Sequence, residues 1–262
     1  MTVQVDKNKG VELMVEAVET MDGWYSLHDL RTINWTKWKE APARIQDRAI
    51  KEFQTLLSSW ENVEDNNNGS HCMYHMVGQQ ADLMFMILRP TINELVAAET
   101  SLNKTILAEF LVPTYSHVSV VELAKYRPEK DGIDPETLPE IQARLKPILP
   151  KSNHISYYPM SRKRDGSDNW YTLEKGERGK LLYEHSLTGR KYAGKIKQII
   201  TGSIGFDKWE WGVTLFTDDV LQLKKIVYEM RFDTATSRYG EFGEFFIGNY
   251  LTKDDLQKLF AI

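Results

Sequence analysis

The fold of this chain is decided by the stretch HCMYHMVGQQADLMFMILRP, residues 71–90. Two apolar segments, 71–78 and 81–89, flank a Gly-Gln-Gln turn, and this pattern predicts a pair of adjacent strands. Pro90 follows the second segment and is expected to open a helix that continues to about Leu102.

The neighbouring sequence extends this strand pair into a larger unit. Upstream, residues 24–30 predict a strand, and apolar residues between Trp35 and Trp60 recur at helical spacing. Downstream, residues 116–123 predict a closing strand. The resulting order, β-α-β-β-α-β, is that of a ferredoxin-like module.

The second half of the chain repeats the same order. Its predicted elements are a strand that Pro159 ends, a helix, two paired strands, a helix capped by Asp218 or Asp219, and a last strand, at 153–160, 174–192, 195–205, 210–218, 220–230 and 244–251.

We therefore predict an α+β fold in which two ferredoxin-like modules in one chain form a dimeric α+β barrel. The N-terminal module spans residues 1–126, the C-terminal module spans 151–262, and a polar, proline-rich linker and loop at 127–150 joins them. Closure into a barrel would remove exposed edge strands.

The composition and charge of the chain limit the classes of protein to which it could belong. The chain has 262 residues, a formal net charge of −4 and one cysteine, Cys72. The acidic balance argues against nonspecific nucleic-acid binding, and one cysteine excludes an intramolecular disulfide. There is no signal-peptide pattern and no apolar run of about 18 residues, so we expect a cytoplasmic protein that does not bind a membrane.

Two features could carry chemistry, and residue spacing alone leaves each with an ordinary alternative. His185 follows Leu181 and Leu182 on one helical face, which fits either a core histidine or an axial haem ligand. The run YPMSRKRDGSDNWY, residues 158–171, fits either a solvated turn or a cluster that binds carboxylates or phosphates. Likewise, Arg231 could complement a helix dipole and Arg144 could be a surface residue.

Long motifs in both halves resemble one family. The C-terminal motifs are HISYYPMSRKRDGSDNWY (154–171), YEHSLTGRKYAGKIKQIITGSIGFDKWEWGVTLFTDD (183–219) and IVYEMRFDTATSRYGEFGEFFIGN (226–249), and the N-terminal ones are TMDGWYSLHDLR (20–31) and EFLVPTYSHVSVVELAKY (109–126). They resemble the coproheme decarboxylases of the chlorite dismutase family, and the resemblance extends from about Met21 to the C-terminus.

The resemblance implies a role for individual residues. His185 matches the proximal iron ligand, Tyr158 the tyrosine that forms the catalytic radical, and Gln198 the distal position over the iron. The strand-end residues Pro159, Met160, Ser161 and Arg162 match the substrate site. Residues at positions that hold propionates in the family are Arg144, Tyr126, Arg231 and Thr236.

The resemblance also implies a reaction. Iron coproporphyrin III (coproheme) would be both substrate and redox centre, and hydrogen peroxide the oxidant. Two propionates would become vinyl groups, which yields haem b. We expect a homopentamer and a transient contact with the enzyme that inserts iron.

Three positions depart from the pattern of some relatives. Some carry lysine in place of Arg162 and some carry serine in place of Thr236, which keep the cation and the hydroxyl, respectively. Members that degrade chlorite have arginine where this chain has Gln198, so the resemblance disfavours chlorite chemistry. Three alternatives stay open: a haem peroxidase or chlorite-degrading enzyme, a haem carrier or sensor without turnover, and a structural barrel without haem.

Overall fold

The computed structural model describes residues 15–125 and 134–262. Its strands are β1 Thr20–Ile33, β2 Ser70–Val77, β3 Leu83–Arg89, β4 Leu111–Ala124, β5 His154–Arg162, β6 Arg164–Asp165, β7 Asp168–Asn169, β8 Lys197–Gly202, β9 Trp211–Thr217, β10 Gly240–Phe242 and β11 Phe246–Tyr250. Its α-helices are α1 Trp35–Glu40, α2 Ala43–Asp65, α3 Ile92–Asn103, α4 Pro139–Leu145, α5 Lys175–Arg190, α6 Val220–Met230, α7 Thr234–Ser237 and α8 Leu256–Leu259.

The strands form two ferredoxin-like sheets that join into a barrel. The first half has the order β2-β3-β1-β4 and the second half the order β11-β5-β9-β8. Strand β4 pairs with β8 and β2 pairs with β11, which links the two sheets on both sides. All these pairings are antiparallel, and the predicted α+β barrel is confirmed.

Strand β5 continues past Pro159 to Arg162, so the prediction that Pro159 ends the strand was wrong. Pro159 lies opposite Gly212 of β9, and its carbonyl accepts a hydrogen bond from Gly243 at 2.9 Å. Along the other edge of β5, the pairing with β11 ends at Tyr157 and the pairing with β10 begins at Met160. The missing N–H of proline therefore falls between two neighbouring strands, where it interrupts neither ladder.

The predicted linker contains more regular structure than its composition indicated. Helix α4 lies within it, and the buried Leu145 at its end packs where Gly23 of β1 leaves room. A Cβ atom on Gly23 would overlap the backbone carbonyl of Leu145. This close approach sets the position of α4 and of the segment that follows it.

Apolar residues fill the space between the first sheet and its helices. Trp38, Phe53 and Phe85 belong to this core and are almost completely buried. A second core lies inside the barrel, where Met84 and Met86 of β3 meet Tyr157 of β5. Strand alternation thus gives the first sheet two buried faces.

The barrel interior also contains a polar pair of histidines. His28 Nε2 hydrogen bonds with Thr214 Oγ1 and His117 Nε2 with Ser203 Oγ, both at 2.9 Å. Burial lowers the pKa of His28 well below its ordinary value, and the neighbouring His117 lowers it further. Burial also lowers the pKa of His117, to about 4. Both rings are therefore neutral at physiological pH.

We predict that Gly23→Ala lowers the free energy of unfolding by about 1–3 kcal/mol, because the added methyl group displaces backbone rather than a flexible side chain. Urea denaturation at one fixed protein concentration measures this change. Gly176→Ala in α5 is the matched control, because a Cβ atom there meets no atom within 4 Å. Equal stability of the two variants would contradict the prediction.

A second prediction concerns pH. The folded protein holds His117 neutral down to about pH 4, whereas an unfolded histidine protonates near pH 6.5. The unfolded chain binds more protons in this window, so stability should fall as the pH falls from 6.5 to 4. In His117→Gln this slope should shrink by up to about 1.4 kcal/mol per pH unit. Identical slopes in urea titrations of both proteins would refute the assignment.

Candidate functional site

A large cavity lies against the outer face of the second sheet. It has a volume of about 870 Å³, within the range of roughly 300–1,000 Å³ that small-molecule pockets occupy. Strands β5, β8 and β9 form one wall, and helices α5 and α6 form the facing wall. Residues 17–20, the end of β4 at 121–124, and the segment 143–150, which includes the end of α4, enclose the remaining sides.

The alternation of strand β5 determines which of its side chains enter the cavity. Tyr158, Met160 and Arg162 line the cavity. Pro159 and Ser161 do not line it: Pro159 packs beside Gly243, and the Ser161 hydroxyl accepts a hydrogen bond from the Glu210 N–H at 3.3 Å.

The cavity brings together most of the residues singled out in the sequence. Seven of them line it: Arg144, Tyr158, Met160, Arg162, His185, Gln198 and Thr236. Arg231 is exposed beside the wall, with its guanidinium carbon 4.1 Å from the centre of the Phe242 ring, and Phe242 lines the cavity. Tyr126 lies outside the described residues.

His185 lies on the helical wall, and its ring is oriented by a carboxylate. Its Nδ1 is 2.9 Å from Asp233 Oδ2, the residue that caps α7. A carboxylate accepts hydrogen bonds, so Nδ1 is the donor in this contact, and Nε2 is the nitrogen left for a metal ion. The Thr236 hydroxyl also donates to Asp233 Oδ2, at 3.2 Å. Metal-ligating histidines commonly have such a carboxylate partner.

Tyr158 lies on the opposite, sheet wall and is 6% exposed. Its ring stacks on Phe245 with centroids 4.4 Å apart and tilts against Phe242 at 5.8 Å. Burial raises the pKa of the phenol, and the positive charge of Arg231 opposes that rise. The phenol is therefore neutral at physiological pH and keeps its hydroxyl hydrogen.

The cavity carries a net positive charge. Its described lining includes four cations, Arg144, Arg162, Arg178 and Lys197, and a single acid, Glu122. Burial raises the pKa of Glu122, while a hydrogen bond from the Trp211 indole at 2.7 Å lowers it. This excess of cations over acids in the lining favours a ligand with several negative charges.

Arg162 is held at the end of β5 by several contacts. Its backbone N–H donates to the buried carboxylate of Glu210 at 2.7 Å, and its Nη1 donates to the carbonyl of Ala235 at 2.5 Å. Its guanidinium carbon lies 4.6 Å from the centre of the Trp170 ring, which also lines the cavity. A buried guanidinium in this setting is preorganised for an acidic group.

Sequence reasoning missed two residues of the site. Asp233 is 48 positions from His185, so no local spacing could join them. Arg178 lines the cavity and precedes Leu182 and His185 by four and seven positions, on the same face of α5. That helical spacing was visible in the sequence and could have identified Arg178.

The described residues, 15–125 and 134–262, contain neither a ready-made metal site nor a candidate membrane span. No group of three or more His, Cys, Asp or Glu side chains there could hold a metal ion by itself. None of the helices in this part of the chain has the length and apolar character that crossing a membrane requires.

Comparison with known proteins identifies the family. The chain superimposes on a haem-binding protein from Thermus thermophilus with a TM-score of 0.91 and 42% identity, over 95% of this chain and 99% of that one. A mutant chlorite dismutase from Candidatus Nitrospira defluvii shares the fold with a TM-score of 0.74 and 17% identity, over 92% of this chain and 97% of that one. The family model for chlorite dismutase matches residues 46–251. The chain therefore belongs to the chlorite dismutase family.

Proposed function

We propose that this protein is a coproheme decarboxylase that uses hydrogen peroxide to convert two propionates of iron coproporphyrin III into vinyl groups, which gives haem b. The observation that carries the proposal is that Tyr158 and His185 face the same cavity from opposite walls, and that this cavity is lined by cations.

The residues present fit an iron porphyrin. His185 keeps Nε2 available for iron because Asp233 engages Nδ1. Apolar side chains, Met160, Val213 and Val227 among them, can cover the faces of a macrocycle. The haem-binding relative from Thermus thermophilus adds support, because it shares 42% identity over 95% of this chain.

The charge of the cavity favours coproheme over a less acidic porphyrin. Iron coproporphyrin III carries four propionates, and desolvated carboxylates need cationic partners. We propose that Arg144, Arg162, Arg231, Tyr126 and Thr236 hold propionates. The Thr236 hydroxyl would then serve two partners, since it also contacts Asp233. Pro159 and Ser161 would act by shaping the strand that carries Tyr158 and Arg162.

The reaction balances with one peroxide for each vinyl group formed. A propionate, one hydrogen peroxide and one proton give a vinyl group, carbon dioxide and two waters. The bound iron would supply the redox chemistry that turns peroxide into an oxidant. Conversion of the propionate to a vinyl group and carbon dioxide requires the loss, in all, of two electrons and one proton.

Tyr158 would carry the first of these oxidation events. Its buried, neutral phenol would give one electron and one proton to the oxidant formed from peroxide, and the resulting tyrosyl radical would take a hydrogen atom from the propionate β-carbon. This step restores the phenol and leaves a carbon radical. Loss of the second electron to the peroxide-derived oxidant accompanies release of carbon dioxide and formation of the double bond. Stacking on Phe245 holds the ring in one orientation for hydrogen transfer.

Gln198 bears on the main alternative enzymatic function. It lines the cavity from β8 and supplies a neutral amide. The family resemblance places an arginine at this position in members that degrade chlorite. A chlorite oxygen-release assay distinguishes the two activities.

A haem carrier or sensor without turnover would use the same pocket. Adding peroxide to the coproheme complex distinguishes a carrier from a decarboxylase, because a carrier leaves the mass of the porphyrin unchanged.

The proposal includes the wider organisation implied by the family resemblance. We propose that residues 1–126 and 151–262 act as N-terminal and porphyrin-binding modules joined by 127–150. We also propose a cytoplasmic homopentamer that meets the iron-inserting enzyme transiently, with porphyrin and peroxide as its small-molecule partners.

We predict that Tyr158→Phe binds coproheme but forms no haem b after peroxide is added, because the ring keeps its shape and loses the oxidisable hydroxyl. Mass spectrometry of the porphyrin measures the product. Tyr157→Phe is the matched control, because this neighbouring tyrosine faces the barrel interior and should leave the yield unchanged. A normal haem b yield from Tyr158→Phe would rule out the radical role.

A further prediction separates the iron ligand from its orienting carboxylate. His185→Ala should change the visible spectrum of bound coproheme and weaken its binding, because the axial ligand is lost. Asp233→Asn should keep a histidine-bound spectrum with about 10–100-fold lower affinity or activity. His154→Ala is the control, because that histidine is bonded to Asn249 and does not line the cavity. An unchanged spectrum and affinity in His185→Ala would remove His185 from the iron site.

A further inference from the structure

Arg178 is a buried cation of the cavity to which the family resemblance assigned no role. It is 5% exposed and lines the cavity from the first turns of α5, on the same helical face as His185. Among the described residues, no Asp or Glu carboxylate lies within ion-pairing distance of its guanidinium. Burial of a charge without a counter-charge is costly, so this arginine needs an explanation.

The hydrogen bonds of Arg178 leave part of the guanidinium available. Nη2 donates to the backbone carbonyl of Glu16, and Nε is buried without a hydrogen-bond partner within the described chain. The carboxylate of Glu16 points elsewhere, 3.9 Å from Lys175 Nζ, and is largely exposed. A carboxylate in the cavity would supply the missing counter-charge to the part of the guanidinium that reaches the lining.

The contact with Glu16 also connects Arg178 to the chain segment that closes one side of the cavity. Ala17 and Val18, which follow Glu16, line the cavity, and Glu19 accepts a backbone hydrogen bond from Lys125 at 2.8 Å. One guanidinium therefore lies between the helical wall and this segment, at the edge of the space that a flat ligand would fill.

We infer that Arg178 is a further substrate-binding residue, which holds a carboxylate of the porphyrin and at the same time fixes residues 16–18 over its edge. This inference rests on the proposed function, because it takes the porphyrin as the ligand. It adds a cationic contact on the helix of the iron ligand to those contributed by the sheet and by α4.

The test compares two ligands that differ only in charge. Iron coproporphyrin III and its tetra-amide are titrated into the full-length protein, and quenching of tryptophan fluorescence gives both dissociation constants; Trp170 and Trp211 line the cavity. Arg178→Gln should weaken the acid by about tenfold or more, as expected for a charge-assisted hydrogen bond, and the amide by about twofold or less. A purely structural role would weaken both ligands equally.

Two variants complete the design. Arg178→Lys keeps the charge with poorer hydrogen-bond geometry, so its ratio of acid to amide affinity should lie between those of wild type and Arg178→Gln. If the glutamine variant does not fold, the lysine variant alone decides the question. Arg190→Gln, in which an exposed arginine of the same helix is changed, should leave both constants unchanged.

The outcomes separate the two ideas. Wild-type protein that binds neither porphyrin overturns the proposed function together with this inference. Wild-type protein that binds the acid, with an unaltered acid-to-amide ratio in the folded Arg178 variants, overturns the inference alone.

Discussion

The pairing of β5 with β9 closes the barrel, and the rest of the structure depends on it. Seven consecutive residue pairs, from His154–Thr217 to Met160–Trp211, hold the two strands in register. The same strand β5 also pairs with β11 and β10. With neighbours on both sides, β5 has a fixed register, so its alternating side chains have fixed directions. One set faces the barrel core and the other faces the cavity.

This arrangement places polar and titratable side chains on the outer face of the second sheet, where apolar side chains would otherwise pack against the helices. The helical wall is separated from the sheet by the cavity, so α5 contributes His185 and Arg178 where a fully packed helix would contribute apolar residues. Arg178 is accordingly the only residue of α5 that is buried in the described structure. We attribute this composition to the ligand, which would supply the apolar surface and the negative charge that the protein leaves open.

Much of the fold could be predicted from the sequence because it follows from local patterns. Apolar segments around a turn located the paired strands at 71–89, and helical spacing with an aspartate cap located α6. The continuation of β5 through Pro159 could not be predicted, because it depends on a gap between β11 and β10 that exists only in the folded sheet. Helix α4 was hidden in a polar segment, where its position depends on the contact between Leu145 and Gly23.

The site residues that could be predicted are those that lie within the long motifs shared with the family. Without the resemblance to a family, His185 fitted a core histidine as well as a ligand, and 158–171 fitted a solvated turn. Residues that act through long-range contacts gave no such signal. Asp233 engages His185 across 48 positions, and the lack of a counter-charge beside Arg178 within the described chain is a property of its surroundings that no spacing reveals.

Tyr157 and Tyr158 are neighbours in sequence but lie on opposite sides of a wall one strand thick. Tyr157 stacks on His28 inside the barrel at 4.1 Å, while Tyr158 faces the cavity. A shift of one residue along β5 would exchange the two phenols and turn Met160 and Arg162 away from the cavity. A tyrosine would still face the cavity after such a shift, but the other lining residues of β5 would not. Insertions and deletions within this strand should therefore be far less tolerated than substitutions.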